Sequence, residues 1–282
     1  MGRIKARDCG TAVIVWLAAL LVSSLLLWLL WDVFCHGLPA LSWQFLTAAP
    51  KHAGKAGGIG PILISTLWIL GVCLAFTFTL GLGTALFIAE WVPWQNIYGR
   101  LLRRSLDILA GVPSIVFGLF GNAFFCKKLG LGFSIFSGGL TLACMALPIF
   151  IRAAEEGFRS VPVELRQAGA ALGLSQSSVI LKVVLPGSVP GLIVGAVLGI
   201  GRALAETAAL IFTSGYVDRM PGSLMDSGRS LSVHIFDLAM NVAGGDTNAY
   251  GTAAVLISLL LVINLLANAI AQTYLKRRVL TV

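Results

Sequence analysis

The chain is 282 residues long; 57% of its residues are hydrophobic, only 11% are charged, and its formal net charge is +8. A soluble globular domain has roughly 25% charged residues, and the mean hydropathy here is +0.92, so the composition excludes a soluble protein and indicates an integral membrane protein. The positive charge forms no basic stripe with interleaved aromatic residues, which disfavours a nucleic-acid-binding protein.

Six stretches with few or no charges are close to or above the roughly 20 residues that a spanning helix needs. In chain order they cover residues 11–31, 61–89, 108–126, 129–151, 187–214 and 249–275. The first is longer than the roughly 7–15 apolar residues of a signal-peptide core, so we expect an uncleaved anchor. The sequence therefore predicts an all-α polytopic bundle of about six transmembrane helices, forming one domain over residues 1–282.

The distribution of Lys and Arg predicts the orientation of this bundle. With both termini inside, the inner segments hold more than twice as many of these residues as the outer loops. The inner ones are Arg3, Lys5, Arg7, Arg100, Arg103, Arg104, Arg152, Arg159, Arg166, Lys182, Lys276, Arg277 and Arg278, and the outer ones are Lys51, Lys55, Lys127, Lys128, Arg219 and Arg229. Because cytoplasmic loops carry the excess of positive residues, we expect both termini in the cytoplasm.

Metal and redox chemistry is disfavoured by the spacing of cysteine and histidine. The five cysteines are scattered and form no C-x-x-C, and the three histidines are isolated, so neither a metal site nor a disulfide framework is indicated. No G-x-x-x-x-G-K-[ST] occurs, so the chain has no P-loop for ATP. We expect no cofactor on this chain and no enzymatic activity.

The connecting segments differ in pattern. The outer loop 35–60 ends in GGIGP, where glycines allow close approach and Pro61 suits the first turn of a helix. The inner loop 91–104 is short and basic, and we expect Glu90 and Asp107 to form solvated interfacial pairs with Arg100, Arg103 and Arg104 beside it. The outer loop 215–248 contains SLSVHIFDLAM, which predicts a short surface helix.

Proline and glycine mark the third and fifth predicted spans. Pro113, within GVPS, is expected to kink its helix; a plain kink and a pathway-lining bend in which Ser114 donates a hydrogen bond both remain open. In the fifth span glycines recur every four residues, at 187, 191, 195 and 199. Small residues at this spacing let another helix approach closely, and helix packing is the main interpretation.

Arg202 and Glu206 are the only charged residues deep in a predicted span, and an ionisable group there is a functional hypothesis by default. Four residues apart on one helix, they are expected to pair. One interpretation is a structural ion pair; the other is that Arg202 offers its planar donor fork to an oxyanion and Glu206 holds it in place. Thr207 could add a hydroxyl to this pathway or serve only in packing.

The loop between the fourth and fifth spans carries the sequence QAGAALGLSQSSVILKVVLP, residues 167–186. It resembles the signature loop of ABC-importer permeases, E-A-A-x3-G-x9-I-x-L-P. Gln167 stands for Glu, Ala168 matches, Gly169 replaces the second Ala, and Gly173, Leu185 and Pro186 match. This resemblance implies a coupling loop at about residues 152–186 that docks an ATPase subunit through Gln167, Ala168, Gly169, Ala170, Gly173, Leu174 and Ser175. The alternative is an amphipathic turn on the membrane surface, for which these residues are too small.

Four further segments, LPALSWQFLT, GGIGPILIST, AGVPSIVFGLFG and GRALAETAAL, resemble the PstA-type permeases of phosphate importers and follow in the family's order. The resemblance implies a type I ABC-importer permease in the bacterial inner membrane. It would pair with a second permease, a dimer of ATP-binding cassette ATPases that hold ATP and Mg²⁺, and a soluble phosphate-binding protein, and it would carry inorganic phosphate through the bilayer.

Two other functions remain open. The first is a permease for another oxyanion, such as sulfate, molybdate or phosphonate. The second is an ion-coupled secondary carrier, which would use several buried acids for coupling ions.

Overall fold

The computed structural model describes the backbone of residues 2–93 and 96–279 and the side chains of residues 11–93 and 96–273. Over these residues the fold is all-α apart from one hairpin whose two strands have two residues each. The helices are α1 (Gly2–Gly37), α2 (Trp43–Thr47), α3 (Gly60–Trp91), α4 (Ile97–Ala110), α5 (Ser114–Gly121), α6 (Ile135–Arg159), α7 (Val163–Ala171), α8 (Gln176–Val179), α9 (Leu185–Leu204), α10 (Ala208–Ile211), α11 (Leu231–Met240) and α12 (Asp246–Val279). The antiparallel hairpin consists of β1 (Pro50–Lys51) and β2 (Ala56–Gly57).

Five helices in the described ranges are long and apolar enough to cross a membrane: those containing 11–40, 60–91, 135–159, 176–204 and 246–273. The sixth candidate span is broken. Helix α4 meets α5, with the π-helical continuation Asn122–Lys128, at an angle of 95°. The predicted polytopic helical bundle is confirmed, with five to six spans depending on whether the bent pair counts as one.

Three predicted span boundaries are wrong. Residues 108–110 end helix α4 instead of starting the third span, because Gly111 and Pro113 interrupt the helical hydrogen bonding. The fourth span begins at Ile135 and continues to Arg159, eight residues into the predicted loop. The fifth span ends at Leu204, and a short separate helix, α10, follows the break.

The glycine stripe of α9 packs against α6. A Cβ on Gly191 would lie 2.5 Å from the Cα of Gly157, and a Cβ on Gly195 would lie 3.0 Å from the Cβ of Ala153. Glycine is therefore required at Gly191 because two backbones touch there. The helix-packing interpretation is confirmed, and α6 also packs against α3, where a Cβ on Gly139 would lie 2.6 Å from the Cβ of Val72.

The segment 231–240 is helical as predicted, and α11 has one buried face and one exposed face, which carries Phe236 and Met240 at 39% and 72% exposure. Leu231, Val233, His234 and Leu238 are fully buried, and Ser230 caps the helix by accepting a hydrogen bond from the Val233 N–H at 3.2 Å. The buried face of α11 packs against α12 and α3.

The end of the 35–60 loop shows the close approach predicted from its glycines. A Cβ on Gly60 would lie 2.5 Å from the carbonyl oxygen of Thr47, and Pro61 occupies the first turn of α3. The close approach of α2 to the start of α3 thus depends on the missing side chain.

Candidate functional site

Arg202 lies in the last turn of α9 and is half-buried. Its Nε is buried and has no hydrogen-bond partner among the described residues. A buried donor on a charged group without a partner costs free energy and calls for an explanation such as an absent ion. Arg202 is therefore a candidate contact for an anionic ligand.

Glu206 does not pair with Arg202, which corrects the sequence prediction. The helix ends at Leu204, so the two residues no longer share one helix face. The Glu206 carboxylate instead accepts a hydrogen bond from the Ala209 N–H at 3.4 Å, and its carbonyl oxygen accepts one from the Ser232 hydroxyl at 2.6 Å. Glu206 thus tethers the break between α9 and α10 to α11.

Thr207 and Ser114 lie at corresponding ends of two packed segments. Thr207 is the N-cap residue of α10 but makes no side-chain capping bond, and Ser114 starts α5 after Pro113. A Cβ on Gly118 would lie 2.9 Å from the Cα of Ala209. A Cβ on Gly121 would likewise lie 2.8 Å from the side chain of Thr213, so the two segments run in the same direction and Ser114 lies toward the Thr207 end. Both residues are half-buried. The predicted kink at Pro113 is a complete break with a 95° bend.

A groove of about 550 Å³ lies between α4, α6 and α9. Its α9 wall carries Gly191, Val194 and Leu198, and its other end reaches Asp107 and Arg152. Arg202 follows Leu198 by four residues and continues the same helix face. The groove therefore ends one helical turn before Arg202 on α9 and reaches the charged end of α6.

The loop that carries the family-like motif forms α7, a tight turn and α8. Gly173 has φ +74° and nothing lies within 4 Å of where its Cβ would be. The Leu174 N–H donates to the Gly169 carbonyl at 3.1 Å, and the Gly173 N–H donates to the Ala170 carbonyl at 2.9 Å. This pattern is a Schellman motif, which requires a left-handed residue after the helix. The left-handed backbone at position 173 therefore explains why the motif has a glycine there.

Two of the residues predicted to dock an ATPase subunit face inward. Gly169 is buried, and a Cβ there would lie 3.0 Å from Cγ2 of Val179. Leu174 is half-buried and packs on the apolar cluster around Phe158 and Val179. Both therefore hold α7 against α8, which also explains why a small residue suits position 169.

The remaining predicted docking residues are on the surface of the loop. Gln167, Ala168, Ala170, Gly173 and Ser175 are exposed. Leu172, which lies among them in the chain, is 82% exposed. Ser175 caps α8, where its hydroxyl oxygen accepts a hydrogen bond from the Ser178 N–H at 3.3 Å. The loop thus presents small side chains together with the exposed apolar side chain of Leu172.

Sequence reasoning missed a buried charge network centred on Glu155, whose side chain is 2% exposed. Its Oε1 accepts hydrogen bonds from Nε of Arg103 at 2.7 Å and from Nε of Arg159 at 3.0 Å. Its Oε2 accepts one from Nη1 of Arg152 at 3.3 Å. One carboxylate therefore binds α4 to two turns of α6.

The structure pairs Asp107 and Glu90 with arginines of α6 and α7, and the Asp107 pair is solvated as expected. Asp107 pairs with Arg152 at 3.0 Å, and Glu90 pairs with Arg166 of α7. Glu90 is mostly buried, so this second pair is not a solvated one. The spacing R-x-x-E-x-x-x-R at 152–159 is the sequence signal that could have predicted the network, because residues three and four apart meet on a helix.

Arg159 also bonds to the end of α3. Nη2 of Arg159 donates to the carbonyl oxygens of Ile88 at 3.2 Å and Val92 at 3.5 Å. These are carbonyls of the last helical turn, which have no partner inside the helix. We name the set Glu90, Arg103, Asp107, Arg152, Glu155, Arg159 and Arg166 the arginine network. It joins α3, α4, α6 and the α7 loop.

A second buried cluster lies at α11, outside the candidate spans. Arg229 contacts Asp237 at 3.0 Å and Nδ1 of His234 at 3.2 Å. Because arginine only donates, Nδ1 accepts and His234 is neutral. Burial, followed by the charge of Arg229, lowers the pKa of His234 from 6.5 to about 4.

Comparison with known proteins gives the family. The sequence profile described as "Binding-protein-dependent transport system inner membrane component" matches residues 78–281. The chain is 32% identical to the probable ABC transporter permease protein YqgI of Bacillus subtilis, covering 89% of this chain and 90% of that protein. It is 34% identical to the phosphate transport system permease protein PstA 1 of Mycobacterium tuberculosis, covering 90% and 84%.

Solved structures have the same fold. A chain of the MetNI methionine ABC transporter in an inward-facing conformation aligns with a TM-score of 0.58 at 19% identity, covering 76% of this chain and 96% of that one. A chain of a bacterial ABC transporter that imports alginate aligns with a TM-score of 0.56 at 17% identity, covering 90% and 95%. The fold is that of ABC-importer permeases, and the chain belongs to the family of inner membrane components of binding-protein-dependent transport systems.

Proposed function

We propose that this chain is a permease subunit of an ATP-driven phosphate importer. The observation that carries the proposal is the buried Nε of Arg202, in the last turn of α9, which has no partner among the described residues. The names of the PstA relatives point to phosphate as the anion. A guanidinium suits this substrate because its planar donors match a phosphate oxygen pair.

In this proposal Arg202 receives the phosphate ion and holds it by charge and hydrogen bonds. Ser114 and Thr207, on the adjacent segments α5 and α10, supply neutral hydroxyl donors. Glu206 contributes through its tether to α11, which fixes the break after α9, and not through an ion pair. Phosphate passes without bond chemistry, so binding at Arg202 has to be strong enough for selection and weak enough for release.

Coupling to ATP hydrolysis is proposed to enter at the α7–α8 loop. The exposed residues Gln167, Ala168, Ala170, Gly173 and Ser175 form the surface for an ATPase subunit, with Gly169 and Leu174 supporting them from inside. A short helix with small side chains suits a groove in a partner. ATP and Mg²⁺ belong to that partner, since this chain carries no P-loop motif.

The arginine network offers a route from the loop to the anion site. Arg166 connects α7 with Glu90 at the end of α3, and Glu155 connects α4 with α6. Helix α6 touches α9 backbone to backbone at Gly157 and Gly191, so a shift of α6 moves the helix that carries Arg202. Alternating access then requires that both sites bias the same two arrangements of α6 and α9.

The remaining partners are a second permease, a dimer of ATPase subunits and a soluble phosphate-binding protein on the outer side. We propose a location in the bacterial inner membrane with both termini in the cytoplasm, on the basis of the excess of inner Lys and Arg. An ion-coupled carrier is less well supported. Its buried acids would have to be available to coupling ions, and Glu155 already has three arginine contacts.

The test is uptake of radiolabelled phosphate by cells expressing equal amounts of Arg202 variants, with Arg219→Leu as the matched loss of an exposed arginine. We expect Arg202→Leu to reduce uptake by about 10- to 100-fold, because charge-assisted hydrogen bonds contribute roughly 1.5–3 kcal/mol. Arg202→Lys keeps the charge without the fork and should retain part of the uptake. Normal uptake by Arg202→Leu would refute the assignment.

Competition distinguishes phosphate from the other oxyanions. Excess unlabelled phosphate should abolish uptake in the wild type, whereas sulfate, molybdate or a phosphonate should leave it unchanged. Inhibition by one of these anions at a lower concentration than phosphate would reassign the substrate and leave the role of Arg202 standing.

A further inference from the structure

We propose that helix α4 lies along the membrane interface and binds anionic phospholipid headgroups through Arg100 and Arg104. The inference concerns lipid and does not depend on the identity of the transported ion. It rests on three observations: the distribution of exposed side chains on α4, its angle to α5, and the shortness of the span that follows.

The outward face of α4 is apolar. Ile97, Leu101 and Ile108 are spaced four and seven residues apart, so they share one face, and they are 54%, 53% and 72% exposed. The opposite face contains Gly99 and Arg103, which are buried against the protein. An apolar face of this extent turned away from the protein is stable where acyl chains cover it.

Exposed cations border this apolar face. Arg100 and Arg104 are one turn apart and both exposed, and Arg104 lies at the edge of the Ile97–Ile108 stripe at about 100° per residue. Long basic side chains at such a border reach the headgroup layer while their stems cover apolar surface. Their charge complements anionic lipid phosphates, which distinguishes this face from a purely apolar protein contact.

The direction of α4 agrees with an interfacial helix. The 95° bend at Gly111–Pro113 turns it across the direction of α5. Helix α5 and its π-helical continuation contain eight and seven residues, which span at most about 22 Å, less than the roughly 30 Å of the hydrocarbon layer. Because the span is short, the α4–α5 junction lies within the membrane interface, and the apolar face of α4 contacts acyl chains there.

The first experiment measures depth. Nitroxide labels are attached at Leu101 and Ile108 in the full chain in lipid nanodiscs, on a background without other reactive cysteines, and at exposed Ser175 of the loop as the control. We expect the α4 labels to be accessible to oxygen and protected from a water-soluble nickel reagent, and the Ser175 label to show the reverse. Accessibility to nickel at α4, or immobile labels shielded from both reagents, would overturn the proposal in favour of water or a protein partner.

The second experiment measures headgroup charge. Native mass spectrometry of the full chain compares retained phosphatidylglycerol with retained phosphatidylcholine. The Arg100→Gln/Arg104→Gln double variant should lose the preference for phosphatidylglycerol by about tenfold or more, because each cation near an anionic surface adds to the attraction. Lys51→Gln/Arg219→Gln removes two exposed charges elsewhere and should keep the preference. Equal loss in both double variants, or no loss in the first, would refute a specific headgroup site on α4.

Discussion

Substitution of Glu155 tests the arginine network most directly. Glu155→Gln keeps the shape of the side chain but removes the charge that Arg103, Arg152 and Arg159 share at 2.7, 3.3 and 3.0 Å. The side chains of Arg103 and Glu155 are 7% and 2% exposed, so water cannot replace the lost carboxylate. Removing one partner of a buried ion pair costs about 3–5 kcal/mol. We expect Glu155→Gln to lower the free energy of unfolding by that amount.

The assay is unfolding of the purified chain in mixed micelles with increasing denaturing detergent, followed by circular dichroism. Glu156→Gln is the matched control, because Glu156 is the neighbouring residue of the same type and is exposed; it should shift the free energy of unfolding by less than about 0.5 kcal/mol. The double variant Arg103→Leu/Glu155→Leu removes both buried charges and should be more stable than Glu155→Leu alone. Equal stability of Glu155→Gln and Glu156→Gln would refute the reasoning, as would a double variant no more stable than the single one.

Three further predictions follow from named contacts. Gly191→Ala should destabilise the fold and reduce transport, because its Cβ would lie 2.5 Å from the Cα of Gly157. Gly83→Ala is the control: nothing lies within 4 Å of its Cβ, so it should stabilise α3 by up to about 1 kcal/mol in the same unfolding assay. Equal effects of the two substitutions would contradict the backbone contact. Gly173→Ala should destabilise the folded loop by about 1–2 kcal/mol because φ at this position is +74°, and Gly173→Asn should destabilise it less. Limited proteolysis of the loop measures the difference. Identical cleavage of the wild type and both variants would contradict the left-handed turn. Because the pKa of His234 is lowered, its neutral form stabilises the fold fully above about pH 6.5, and this stabilisation, about 3 kcal/mol in total, is lost as the pH falls toward about 4. His234→Gln should remove this part of the pH dependence of the free energy of unfolding. An unchanged pH dependence in the variant would contradict the prediction.

Helix α9 shows which features a local sequence pattern predicts and which it does not. The four-residue repeat of glycine predicted a close helix contact, and the contact exists because a small residue is needed wherever two backbones touch. The pattern could not say that α6 is the partner, or that the helix ends at Leu204. Residues 202–210 contain no proline or glycine to mark that break, and the tether from Glu206 to Ser232 joins positions 26 residues apart.

The arginine network was hidden for a related reason. Glu155 and Arg103 are 52 residues apart in the chain, and charged residues near predicted span ends normally lie in solvent. Only the packing of α4 across the end of α6 makes that carboxylate a buried centre. The same holds for Gly169 and Leu174, which the motif marks as part of the docking loop but which α8 covers.

What the sequence by itself determined was the membrane class, the number and approximate position of the apolar spans, the glycine contact and the family. These depend on composition, on periodicity and on motifs within short windows, and each is a local property of the chain. Tertiary structure alone decided which charges meet, where α9 stops, the right angle between α4 and α5, and the orphaned donor of Arg202. Each of these depends on contacts between distant segments, whose free energy no local window of residues contains.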